Sequence, residues 1–104
     1  MKSIAAEQAK DRGNKQFSAG NYRDAISCFD EAIAIAERES AENMHVYFSN
    51  RSAAYLSLGE ATKALEDAES CIDAKNDWAK GYSRKGAALF TLKRFKDAVV
   101  AYQQ

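Results

Sequence analysis

Three alanines constrain this chain more than any other feature of it. Ala64 and Ala98 lie 34 residues apart, and Ala25 lies 39 residues before Ala64. Three residues ahead of them stand Tyr22, Ala61 and Phe95, in the same order. A period of 34 is that of a stacked helix–turn–helix unit. The longer first interval then carries five extra residues, centred on the polar stretch Arg38-Glu39-Ser40-Ala41-Glu42. That insertion lengthens the junction between two units or extends a helix beside it, and a loop is the expected form. The alanines fall where two antiparallel helices cross closely, and a larger side chain there would push the helices apart.

The rest of the chain supports helices throughout. Proline is absent, and small apolar residues recur at three- and four-residue steps with no strand-like alternation. Gly20-Asn21 and Gly59-Glu60 interrupt the pattern, as glycines that end one helix before the next begins. The spacing predicts helices over Ser3–Ala19, Tyr22–Glu37, Asn43–Leu58, Ala61–Ala74 and Trp78–Leu92, and a sixth starting near Arg94. Asn76-Asp77 has the chemistry of an N-terminal cap for the fifth. Tyr22 and Phe95 are expected to fill the gap at their turns, and Ala61 to leave the second repeat less fully packed.

At 104 residues the chain reads as one all-α domain. Its repeats run over about 6–39, 45–78 and 79–104, with 40–44 inserted and the third repeat truncated. Hydrophobic residues at 46% and charged residues at 29% belong to a folded domain. Fifteen basic and fifteen acidic side chains give no net charge, which argues against a nucleic-acid or membrane-surface partner. The first residues, Met1-Lys2-Ser3-Ile4-Ala5-Ala6-Glu7, lack the apolar region of a signal peptide. Cys28 and Cys71 fall inside helical patterns and read as buried, reduced thiols of a cytoplasmic protein. Cys71 also matches Ala32 at the 39-residue interval, as a small core residue would. His45 is the only histidine, with nothing linking it to either thiol. Neither an enzyme's nucleophile–base pair nor a zinc ligand set is suggested, and no cofactor is expected.

The remaining chemistry lies on the first helix of each pair. Lys10 and Asn14 are spaced i, i+4 and so share a face, as do Lys80 and Arg84. Asn50 sits on the helix between them. Taken alone, each cationic residue reads as part of a solvated face. If the first helices line one side of the stack, the five converge from successive repeats. Ammonium, guanidinium and amide donors together suit a small anion carrying more than one carboxylate.

Three stretches carry a resemblance: Lys10-Asp11-Arg12-Gly13-Asn14-Lys15, Tyr47-Phe48-Ser49-Asn50-Arg51-Ser52-Ala53-Ala54-Tyr55 and Asp77-Trp78-Ala79-Lys80-Gly81-Tyr82-Ser83-Arg84-Lys85. They resemble the dicarboxylate-clamp tetratricopeptide domains of chaperone cofactors, most of all the N-terminal repeat domain of the Hop/stress-inducible (heat-shock organising) co-chaperones. The resemblance implies a tetratricopeptide-repeat α-solenoid of antiparallel helix pairs that grips the C-terminal Glu-Glu-Val-Asp of heat-shock 70 or heat-shock 90 chaperones. It implies that Lys10, Asn14 and Asn50 hold the terminal carboxylate, and that Lys80 and Arg84 bind the aspartate side chain. Phe17 and Ala53 would line the pocket for the valine, although Phe17 reads equally well as core. The alternative is a repeat scaffold that binds some other segment, with its cations merely solvated. Glu37 and Asn76 stand where the family usually ends a repeat with proline. No capping helix follows the sixth, so a fragment of a longer co-chaperone is expected, or self-association through a face containing Phe90, Val99 and Tyr102.

Overall fold

The computed structural model describes all residues, 1–104, and holds six helices and no strand. They are α1 (Ile4–Ser18), α2 (Tyr22–Arg38), α3 (Met44–Ser57), α4 (Ala61–Ala74), α5 (Ala79–Thr91) and α6 (Phe95–Tyr102). Every predicted end lies within one residue of the observed one. Short turns make α1–α2, α3–α4 and α5–α6 antiparallel pairs, while α2 packs on α3 and α4 on α5. The first helices touch in succession, α1 to α3 and α3 to α5, so they form one face of the stack. None of the six is long and apolar enough to cross a membrane.

The glycines end helices as their positions required. Gly20 and Gly59 sit at φ 83° and 81°, in the left-handed region where only glycine is unstrained. Beyond them the Asn21 and Glu60 amides donate back to the Gln16 and Tyr55 carbonyls at 2.8 and 2.9 Å. Ser40 and Lys93 do the same work at φ 52° and 64°, a conformation that costs a residue with a Cβ about 1 kcal/mol. The Asn76-Asp77 cap does not form. Asp77 is drawn to Lys75 at 3.2 Å and the Asn76 carbonyl accepts from the Tyr82 hydroxyl at 2.8 Å. Trp78 therefore occupies the cap position with no side-chain bond to the helix.

The polar stretch at 39–43 is the loop expected of it. α2 has 17 residues against 14 in α4, its connection to α3 has five against four, and α3 has 14 against 13 in α5. The longer first interval is therefore shared, with three of the five extra residues lengthening α2 ahead of that loop. The lengthened end is useful. Ser3 caps α1 by accepting from the Ala6 amide at 3.1 Å and donates to the Glu39 carboxylate, just past α2, at 2.8 Å.

Ala25, Ala64 and Ala98 are all buried. A second set at the same intervals, Gly13, Ser52 and Gly86, lies buried on the first helices. A Cβ on Gly13 would lie 2.4 Å from a Phe29 ring carbon, and one on Gly86 would lie 2.5 Å from the Tyr102 ring. In the middle pair Ser52 takes the place of the glycine, and Ala68 stands at the repeat position of the ring. The Ser52 hydroxyl donates to the Ala64 carbonyl at 2.8 Å. Volume removed from one helix is returned by the other.

Two expectations fail here. Cys71 is buried, but Cys28 is only half-buried and belongs to none of the three core clusters. Its helix turns it toward the boundary of the core. Tyr22 does close its turn, edge-on to Phe17 at 5.3 Å. Phe95 does not, because it turns outward onto the exposed Phe90 ring at 5.2 Å. Val99 and Tyr102 are, like Phe90, more than half exposed.

Gly13→Ala forces the Phe29 ring or the α1–α2 spacing to move. The expected loss is about 1–3 kcal/mol, read as a lower urea midpoint with an unchanged slope. An unchanged midpoint would show that the ring yields freely.

Candidate binding groove

The face formed by α1, α3 and α5 carries a recess of about 210 Å³ lined by Asn14, Phe17, Phe29, Asn50, Ala53 and Arg84. Five of the seven residues singled out in the sequence therefore meet. Asn50 Nδ2 donates to Asn14 Oδ1 at 3.2 Å, joining α3 to α1 across the floor. Phe17 and Ala53 belong to the wall of the recess, and Phe29 from the core closes its base. Lys10 and Lys80 are not among its lining residues. Each stands one helical turn ahead of Asn14 or Arg84 on the same face.

The electrostatics differ from one side of the face to the other. Arg84 donates from Nε to the buried Ser49 hydroxyl at 3.2 Å. Burial lowers its pKa, yet a guanidinium stays charged in proteins. Lys80 lies over the Trp78 ring, 5.6 Å from its centre. The nearby carboxylates are engaged elsewhere, Asp77 with Lys75 and Glu69 with Lys85, and neither Lys80 nor Arg84 has one within ion-pair distance. Lys10 is in the opposite situation. Its ammonium lies 3.4 Å from both Glu7 and Asp11. Burial would raise the Glu7 pKa, but the Tyr47 hydroxyl at 2.6 Å, the Asn43 amide and Lys10 outweigh it and hold the carboxyl low. The α1 side is thus locally neutralised, and the α5 side keeps its positive charge.

Residues not recognised in the sequence organise this face. Arg51 on α3 makes a two-pronged bond to Asp67 of α4, at 2.9 and 2.8 Å, and donates to Asp30 of α2 at 2.8 Å. Three helices are tied behind the groove by one guanidinium, which also lies near the Phe48 and Tyr55 rings. Burial pushes the Asp67 carboxyl up against the pull of Arg51. Partners 16 residues apart leave no periodic trace, so this tie had no sequence signal. Glu7 did have one. It holds the register position of Val46 and Lys80 at the 39- and 34-residue intervals, an acid where the third repeat has a base.

Other chemistry is sparse. The Cys71 thiol is pushed up to about 11 by burial, partly offset by nearby Arg84. His45 is edge-on to Trp78 at 4.9 Å, and burial, with Lys75, lowers its pKa. No three His, Cys, Asp or Glu side chains are arranged to hold a metal ion.

No protein-family model matches the chain. Among curated proteins it is 46% identical over 99 residues to the heat shock protein sti1 homolog of Schizosaccharomyces pombe. It is equally similar to the Hsp70-Hsp90 organizing protein of Triticum aestivum. Both alignments cover 95% of this chain and only 16% of the relative. Among solved structures, the first TPR of Spaghetti (RPAP3) bound to the HSP90 peptide SRMEEVD superposes with a TM-score of 0.90 at 31% identity. That match covers 99% of this chain and 80% of the other. The TPR2B domain of yeast Sti1 in complex with an Hsp70 peptide gives 0.87 at 26% identity, over 95% and 75% of the two chains.

Arg51→Met leaves Asp67, with 7% of its side chain exposed, without its counter-charge. Breaking such a pair costs about 3 kcal/mol or more, to be read from urea unfolding. A variant within about 0.5 kcal/mol of the native domain, the range of an ordinary surface substitution, would show that the tie is dispensable.

Proposed function

The chain belongs to the tetratricopeptide-repeat domain family, and on that premise we propose that it is a co-chaperone module binding the C-terminal tails of heat-shock 70 and heat-shock 90 chaperones. The observation that carries this reading is the half-buried, carboxylate-free Arg84 beside the Asn14–Asn50 pair, around an apolar recess. A charged group held out of water without a counter-ion is stabilised by an anion arriving from outside. The relatives that bear the name organising protein, and the solved neighbours holding peptides that end Glu-Glu-Val-Asp, support that anion being a peptide tail.

In this reading the site is a dicarboxylate clamp. Lys10, Asn14 and Asn50 receive the terminal carboxylate, with the two amides already oriented by their mutual bond. Arg84 and Lys80 take the aspartate side chain. Arg84 offers its planar fork, fixed by Ser49, and Lys80 a point charge steadied by Trp78. Phe17 and Ala53 line the recess that admits the preceding valine. The role is binding and not catalysis, and partners of this class place the domain in the cytoplasm.

A peptide ending Glu-Glu-Val-Asp is expected to bind with micromolar affinity, about −8 kcal/mol. Amidating its C-terminus should weaken binding at least tenfold, and added salt should weaken it further. Arg84→Met should lose as much with an unchanged helical circular-dichroism signal. Equal affinity for the free and amidated peptides, measured by titration calorimetry, overturns the clamp and leaves a generic repeat scaffold.

A further inference from the structure

Lys10 is the most flexible of the groups assigned to the terminal carboxylate, a four-carbon stem that ordinarily samples many conformers. In this structure it is held. Its side chain is 21% exposed and its ammonium lies 3.4 Å from Glu7 Oε1. The other oxygen of Glu7 accepts from the Tyr47 hydroxyl at 2.6 Å, and more distantly from the Asn43 amide at 3.4 Å. Tyr47 is fully buried, its ring packed among Ala6, Ala9, Ala32 and Ala36. The position of its hydroxyl is therefore set by the core of the first repeat and not by the surface.

We infer that Tyr47 and Glu7 are positioning residues of the carboxylate site: the core fixes the hydroxyl, the hydroxyl fixes the carboxylate, and the carboxylate fixes the Lys10 ammonium. The inference rests on the reading of Lys10 as a ligand group. An ammonium has three N–H donors. Glu7 accepts from one of them, Asp11 adds only an ion-pair contact, and donors remain for an incoming carboxylate. Ordering this side chain before the ligand arrives removes an entropic cost from binding. Glu7 also repels an anionic ligand, so replacing it would mix two opposed effects. Tyr47→Phe separates them, because it removes one hydroxyl, keeps the buried ring and changes no charge.

The test is a double-mutant cycle on the affinity for a peptide ending Glu-Glu-Val-Asp. Tyr47→Phe should weaken binding about three- to tenfold in the native background and less than about twofold in Lys10→Met, once the ordering cost is no longer at stake. Equal losses in both backgrounds would make the hydroxyl merely structural, and no loss in the native background would also overturn the inference. A readout without peptide accompanies the cycle: the NMR order parameter of the Lys10 ε-methylene should fall in Tyr47→Phe. Should the native domain fail to distinguish free from amidated peptide, the binding reading fails, and this order parameter alone decides the positioning. An unchanged value refutes it. Glu7→Gln, at the surface, supplies the same measurement if Tyr47→Phe does not fold.

Discussion

How closely the two helices of a pair can approach is set by one small residue on each. Ala25, Ala64 and Ala98 are buried, Ser52 bonds the Ala64 carbonyl, and the Phe29 and Tyr102 rings lie over Gly13 and Gly86. With that spacing fixed, each pair becomes a nearly rigid unit. The first helices are then held side by side at a separation that places Asn14 and Asn50 within 3.2 Å. The same packing reaches the recess itself, because the Phe29 ring that covers Gly13 also closes its base.

A second layer of order comes from charge. Arg51 binds Asp30 and Asp67 behind α3, and Ser49 holds Arg84 in front of it, so residues two apart on one helix serve the core and the groove. The opposite faces of α3 thus use guanidinium groups in opposite ways. Arg51 has two carboxylates and is a tie, whereas Arg84 has none and is left with its charge unpaired. Burial raises the stakes for both, because a half-buried cation is tolerated only when something nearby satisfies it.

The helices were legible to within a residue because each pair is built from the same local signals: small residues at the crossing, glycine at the turn, apolar residues at helical spacing. The recess that gathers Asn14, Asn50 and Arg84 was legible because helical spacing and the order of the pairs put the first helices on one face, while Lys10 and Lys80 lie outside its lining. Partnership through space was not. The Arg51–Asp67 bond joins residues with no common register, and the Asp77 cap lost its carboxylate to Lys75, a competition that no pattern records. The loop at 39–43 was legible because that stretch is polar and breaks the helical spacing, whereas the extra length of α2 ahead of it left no such mark. Cys28 was misplaced for a related reason, since a helical pattern gives the period of a face more surely than its edge.

The α6 helix is the least anchored element of the stack. It has eight residues, of which only Ala98 and Ala101 are buried, and it is entered through the left-handed Lys93. A helix of that length is not stable in isolation and persists by docking. What it docks on is α5, the helix that carries Lys80 and Arg84. The helix that presents Lys80 and Arg84 is thus also the seat of the last helix of the stack.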